Sequence, residues 1–336
     1  MSSRPDEIEV VQKSLILARL DRIDKPPHEL SSPIATATSK TVQQLRIVLF
    51  SPLFNKDDVE RPSAALGTKH WDAVQSTLTY VYVQAMKVAQ EMGKILMDVD
   101  VLLKGEEEPL SESITKDAEV VFRIHGTEGD ASSSIPVLKG IKTIWLAPTE
   151  GISTEAAPLA SVPTQESDPS LPIFYPVVAS GGTFDHLHAG HKILLSMGAW
   201  IARDKLIVGV TDDSLLKGKA NKDVLQSLSE RLAITRNFLE MFKPGIEYYI
   251  VPITDVAGPT GWDPNVQAIV VSKETLNGAA AIQEIRRKKG FNSLKTFVID
   301  VISHTEASLD AEDAETLRKT KMSSTFIREW IVKQRS

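Results

Sequence analysis

The stretch that most constrains the fold runs from Val177 to His191 and reads Val-Val-Ala-Ser-Gly-Gly-Thr-Phe-Asp-His-Leu-His-Ala-Gly-His. An apolar run of strand character ends in Gly181-Gly182, a short polar loop follows, and Lys192 to Ala202 is an apolar-rich segment that reads as a helix. A glycine turn between a strand and a helix gathers free backbone N–H groups and the positive end of the helix dipole at one point, which suits phosphate. His188 and His191, separated by Ala-Gly, add two imidazoles there. Two histidines can donate hydrogen bonds to phosphate oxygens as negative charge spreads over them, and phosphoryl-type transfer asks mainly for positioning and charge stabilisation. A plain turn with solvated histidines fits poorly, because three of the seven histidines fall in the six residues His186 to His191. A metal site built from His186, His188 and His191 fits poorly too, since Asp185 is the only nearby carboxylate and no second cluster completes a shell.

A chain of 336 residues is long enough for two domains, each with its own core. The formal charge of −6 makes no electrostatic case for nucleic acid or an anionic membrane as the main partner. With no cysteine, disulfides and thiolate metal sites are excluded. The polar, acidic start (Met1 to Glu7) differs from a secretory signal, and no apolar run approaches the roughly 20 residues of a membrane span. A cytoplasmic protein is the expectation, and a nuclear pool is compatible with it.

Along the first half, Glu9 to Leu20 suits a short strand or helix, and the Pro/Ser/Thr-rich stretch Lys25 to Thr41 reads as loop. Arg46 to Phe50 looks like a strand, and Thr68 to Met92 carries Trp71, Val74, Leu78, Val81 and Val88 at mostly helical spacing. Lys94 to Leu103, Ala118 to His125 and Lys142 to Ala147 are further strand candidates. This predicts a smaller α/β domain over 1–147, with no phosphate loop and with His70 and His125 standing alone. Residues 148–174, punctuated by prolines, read as a linker.

From 175 to 336 strands and helices alternate. Strands are expected at Val177–Ser180, Lys205–Thr211, Glu247–Ile253, Val266–Ser272 and Thr296–Ile302. Helices are expected at Lys192–Ala202, from Ser227 to Phe242 with a Ser227/Glu230 capping box, from about Ala279 to Lys289, and from Ser323 to Gln334. The pattern predicts a Rossmann-like, doubly wound parallel sheet whose ligand lies at the carboxyl ends of the strands, near the switch point.

Two further segments fall where such a ligand would be. Ser323, Ser324 and Thr325 stand at the start of the last helix, offering hydroxyls and N–H groups to a triphosphate tail, and Arg328 follows Ser324 by four residues on the same face. Lys217 and Lys219 lie in Leu-Leu-Lys-Gly-Lys-Ala-Asn-Lys (215–222), just past the second strand of this half, and either can grip a substrate phosphate.

These residues carry a family resemblance. Gly-Gly-Thr-Phe-Asp-His-Leu-His-Ala-Gly-His, the Leu-Leu-Lys loop, Val270-Val271-Ser272-Lys273-Glu274-Thr275 with Gly278 and Ile285-Arg286, and the Ser-Ser-Thr helix start together resemble phosphopantetheine adenylyltransferase in its archaeal and eukaryotic branch, over about 175–334. The resemblance implies transfer of AMP from ATP to 4′-phosphopantetheine, giving dephospho-coenzyme A and pyrophosphate, by direct in-line attack with no covalent intermediate. It implies magnesium accompanying ATP rather than a metal site of protein side chains. It also implies catalytic roles for His188, His191 and Lys217. ATP contacts would come from Gly182, Thr183, Phe184, His191, Ser323, Ser324, Thr325 and Arg328, and acceptor contacts from Thr183, Lys217 and Lys219. The bacterial branch has an arginine-rich segment where this chain has Lys273 and then no arginine until Arg286, so that branch's nucleotide contacts do not transfer. No G-x-x-x-x-G-K-[S/T] occurs, so a following kinase step is expected to belong to another protein. Cytidylyltransferases share the first loop but typically have R-T-x-G-[I/V]-S-T where this chain has Lys321-Met322-Ser323-Ser324-Thr325, and nicotinamide mononucleotide adenylyltransferases usually vary the Asp after Phe. The remaining alternative is a non-catalytic scaffold of the coenzyme A pathway. For 1–165 the expectation is a domain that docks other enzymes of that pathway or controls the catalytic one.

Overall fold

The computed structural model describes residues 8–55, 67–125, 135–149, 171–299 and 322–335. These fall into two compact units, 8–149 and 171–335. Most of the expected linker, 148–174, lies outside the described residues, but Tyr175 and Pro176 already belong to a strand.

The first unit runs β1 (Val11–Arg19), α1 (Ser31–Lys40), β2 (Thr41–Phe50), α2 (Trp71–Glu91), β3 (Asp98–Lys104), the single turn α3 (Glu112–Thr115), β4 (Val120–Ile124) and β5 (Lys142–Leu146). Its five strands are all parallel, in the order β3-β2-β1-β4-β5. Both faces of such a sheet are covered, so the inner strands are nearly continuous apolar runs, as in Leu15, Ile16, Leu17 and Ala18 of β1.

The stretch Lys25 to Thr41, expected as loop, contains α1. Its Ser/Thr content misleads because the hydroxyls are satisfied inside the helix: Thr38 Oγ1 donates to the Ile34 carbonyl and Ser39 Oγ to that of Thr36. Pro33 sits in the first turn, where an N–H would have no helical partner, and Ile34, Ala37 and Thr38 form a buried stripe.

The second unit runs β6 (Tyr175–Gly182), α4 (Ala189–Ile201), β7 (Ala202–Thr211), α5 (Leu228–Phe242), β8 (Glu247–Ile253), β9 (Ala268–Ser272), α6 (Leu276–Lys288), β10 (Lys295–Ile299) and α7 (Ser324–Arg335). All strands are parallel in the order β10-β9-β6-β7-β8, the Rossmann-like α/β arrangement expected. The chain moves outward from β6 through β7 to β8, then returns to pair β9 on the other side of β6. The switch point therefore lies between the carboxyl ends of β6 and β9, beside Gly181-Gly182. Ala179, Ile207, Ile269 and Val271 of the sheet pack with Ala279 and Ile282 of α6. The Ser227/Glu230 capping box at the start of α5 forms as expected. Among the described residues no helix is long and apolar enough to cross a membrane.

One lysine in each unit ties the first helix to the strand after it. Lys94 Nζ donates to the carbonyls of Thr38, Ser39 and Thr41 at the α1–β2 junction. Lys243 Nζ donates to those of Ala199 and Ala202 at the α4–β7 junction, at 2.9 and 2.7 Å. Helix-end carbonyls need such partners, and a cation is favoured there by the dipole. Lys243→Met keeps the stem and removes these donors. It is expected to cost about 2 kcal/mol, the scale of charged hydrogen bonds, read as a lower urea midpoint; an unchanged midpoint would remove this account of the lysine.

Candidate active site

The carboxyl end of β6 turns on a packing constraint. A Cβ on Gly182 would come within 3.2 Å of the Phe184 ring, which lies fully buried beneath it. Phe184 and His186 both take left-handed backbone angles, φ 51° and 44°. Each such residue costs on the order of 1–3 kcal/mol and persists only where its surroundings hold it. Here the burial of Phe184 supplies one restraint. His186 supplies others: its N–H donates to Gln226 Oε1 at 2.7 Å and its Nε2 lies 2.8 Å from the Val224 carbonyl. Arg231 Nη1 donates to the Thr183 carbonyl at 2.9 Å.

This turn delivers two histidines to the start of α4. His188 is the N-cap residue of α4, without a capping hydrogen bond from its side chain, and His191 is in the first turn. Their rings stack with centroids 4.0 Å apart and 27° between planes, and the ring of Phe184 lies 5.3 Å from that of His191. The Nδ1 atoms of both are buried without a hydrogen-bond partner. Burial pushes the His188 imidazole down to about 4, against an upward pull from Glu274. Burial also holds His191 well below its ordinary value, assisted by His188 and the charge of Lys219. Both rings are thus neutral at neutral pH, each with one N–H to donate.

Lys217 and Lys219 are both exposed, in a segment anchored by buried Leu216. The charge of Lys219 is a minor contribution to the lowering of His191. Ser272 to Thr275, at the end of β9, form a short turn leading into α6, and Glu274 brings the only anionic influence of this turn on His188.

The start of α7 meets the histidine loop. Ser323 Oγ accepts the Phe326 N–H, capping its own helix, and Ser324 Oγ donates to the Asp185 carbonyl at 2.7 Å. Lys321 lies outside the described residues. Arg328, expected as a cation for a triphosphate, is placed otherwise. It is 2% exposed, and its guanidinium donates to Asp185 Oδ2, the Ala220 carbonyl and Thr325 Oγ1. It braces the protein instead of facing outward, because a buried guanidinium has to satisfy its N–H groups internally.

Three residues that sequence reasoning passed over hold this arrangement. Asp185, given no role there beyond its place in the shared motif, is fully buried and accepts from Gln226 N–H and Arg328. Gln226 and Arg231 fix the loop from the α5 side. Arg231 had a visible signal: it falls on the buried stripe of α5 with Thr235, Phe238 and Phe242, where a cation demands partners. Arg286, quoted for the resemblance, is also structural. It donates to the carbonyls of Thr260, Asp263, Val266 and Asn292 and so fixes the crossover from β8 to β9.

The family described as Cytidylyltransferase-like matches residues 179–330. An uncharacterized protein of Schizosaccharomyces pombe is 43% identical over 157 residues, 47% of this chain and 48% of its own. The phosphopantetheine adenylyltransferase of Saccharomyces cerevisiae is 40% identical over 152 residues, 45% of this chain and 47% of its own. That of Methanopyrus kandleri is 41% identical over 125 residues, 37% of this chain but 78% of its own. The chain belongs to the phosphopantetheine adenylyltransferase family. The matched region spans about half the length of the two fungal relatives.

The histidine pair gives this chain a pH signature. With folded-state values depressed below the usual ~6.5, the unfolded chain binds more protons between that value and the folded one, about 4 for His188. The stability they contribute is complete above ~6.5 and falls as pH drops toward 4. His188→Gln is expected to flatten the fall in urea midpoint between pH 7 and 4.5 relative to wild type; an identical slope in the variant would contradict a buried neutral imidazole.

Proposed function

We propose that this chain transfers AMP from ATP to 4′-phosphopantetheine, releasing pyrophosphate and giving dephospho-coenzyme A. The observation that carries the reading is the stacked, neutral His188–His191 pair with unpartnered Nδ1 atoms at the start of α4, beside the switch point. The activity for which the yeast and archaeal relatives are named supports the choice of substrates.

On this reading the acceptor phosphate oxygen attacks the α-phosphorus of ATP in line. One P–O bond forms, the bond to the bridging oxygen of the β-phosphate breaks, and that electron pair leaves with pyrophosphate. The imidazole N–H groups of His188 and His191, with the N-terminus of α4 and the turn at Gly182 and Thr183, meet the α-phosphate oxygens as their charge grows. The start of α7 at Ser323 to Thr325 meets the β- and γ-phosphates, and Lys217 or Lys219 holds the acceptor phosphate. Magnesium belongs to the substrate here: it arrives chelated by the triphosphate, as is usual for an ion that keeps most of its own water.

The test is pyrophosphate release by the purified chain with ATP and 4′-phosphopantetheine, with nicotinamide mononucleotide, with a phospho-alcohol plus CTP, and without acceptor. Release is expected with phosphopantetheine alone, and to fall on the order of 100-fold or more in His191→Ala, the scale for a lost transition-state donor. Lys217→Ala and Lys219→Ala, measured side by side, are expected to raise KM for the acceptor by about tenfold in whichever lysine holds it. Release with another acceptor would leave the clamp and overturn the substrate assignment.

A further inference from the structure

We propose that Asp185 and Arg328 act as one positioning unit that sets the register between the histidine loop and the start of α7. This rests on the adenylyl-transfer reading above and deepens it. Asp185 sits three residues before His188, and Arg328 four residues after Ser324. The Asp185 carboxylate has no exposure, and it accepts the Gln226 N–H on Oδ1 at 2.9 Å and Arg328 Nη1 on Oδ2 at 2.5 Å. Its carbonyl takes the hydroxyl of Ser324, the residue whose N–H opens α7. Arg328 in turn reaches the Ala220 carbonyl through Nε at 3.0 Å, next to Lys219. The three segments that carry the candidate ligands are thereby joined at one point: the histidine turn, the lysine loop and the Ser-Ser-Thr helix start.

A buried ion pair is poor evidence of stability for its own sake, because desolvation offsets much of the attraction and apolar replacements of similar volume often fold as well. Geometry is what this pair adds. Guanidinium and carboxylate meet in a fixed, directional contact, so that the start of α7 can occupy few positions relative to His188 and His191. A triphosphate spanning the two would be sensitive to that spacing, since misplacement by about 1 Å can cost on the order of 100-fold in rate. Neither residue touches the reacting atoms on this account; both act through Ser324 and the histidine turn.

The experiment is a double-mutant cycle with Asp185→Asn, Arg328→Gln and the double variant in the full chain. Urea midpoints are measured beside kcat, KM for ATP and ATP affinity by calorimetry. Either single change leaves a buried charge unpaired and can prevent folding; the neutral double variant removes both charges and keeps hydrogen-bonding capacity. The double variant is expected to fold, to bind ATP about tenfold more weakly or worse, and to lose on the order of 100-fold in kcat/KM for ATP. Single variants that fold are expected to match the double rather than to add up to it. Arg328→Lys is expected to restore stability but not kcat/KM, because an ammonium cannot span Asp185, Ala220 and Thr325 together. A folded double variant with wild-type ATP affinity and turnover overturns this proposal alone. A wild type that neither binds ATP nor releases pyrophosphate overturns the functional reading and this proposal with it.

Discussion

A guanidinium taken out of water has to find an acceptor for each N–H it turns inward. The three largest fully buried side chains in the described residues are arginines, Arg231, Arg286 and Arg328, all in the second unit. Each rises from a helix and spends its donors on loop carbonyls. Arg231 takes those of Thr183, Thr211 and Gln226 together with the Asp213 carboxylate. Arg286 takes the crossover between β8 and β9, and Arg328 takes Ala220 and Asp185. Loop carbonyls have two lone pairs and no regular ladder to fill them, so one fixed fork can hold several chain segments at once. Loops that would otherwise be the least ordered part of a doubly wound fold are pinned by the helices behind them.

That rigidity makes the turn after β6 tenable. Phe184 and His186 in left-handed conformations, and a Gly182 whose Cβ would crowd the Phe184 ring, would not persist in a loose loop. Held as they are, they bring the two imidazoles into stacking contact, where burial keeps both uncharged and His188 adds to the effect on His191. On the proposed reading, the positive character of the site comes from the start of α4 and from the lysines of the 215–222 loop, and the rings are oriented neutral donors. Donors fixed before the ligand arrives need no reorganisation as charge develops, which is the economical way to stabilise a phosphoryl-type transition state.

Most of the second unit was legible in the sequence because its signals are local. β8 runs over Glu247–Ile253 as read and the Ser227 capping box forms, whereas Gly181-Gly182, read as the turn, are the last residues of β6, and the turn to α4 runs from Thr183 to His188. The errors lie where local signals mislead or long-range contacts decide. Hydroxyls in α1 read as loop because their helical acceptors are invisible in composition. Arg328 read as a free cation because its partner Asp185 is 143 positions away in sequence. Asp185 entered the reading only as a lone carboxylate, too little for a metal shell, and as part of the shared motif, and no feature of its neighbourhood in sequence announces an arginine.

The first unit repeats the strand order of the second with different residues at the end of its central strand. Read from its outer strand, β3-β2-β1-β4-β5 has the same order as β8-β7-β6-β9-β10, and Lys94 repeats the device of Lys243. The difference lies at the end of the central strand. β6 ends in Gly-Gly and leads to an N-cap whose side chain leaves the helix start uncapped. β1 ends in Arg19, which is engaged by Asp21 and Glu106. At the start of α1 the Ser32 N–H donates to Thr149 Oγ1, and Thr149 is itself anchored to the Glu29 carbonyl. The corner that a phosphate would use in such a sheet is therefore filled by the chain's own threonine. The two units share a strand order and differ at the carboxyl end of the central strand, where the proposed chemistry of the second unit lies.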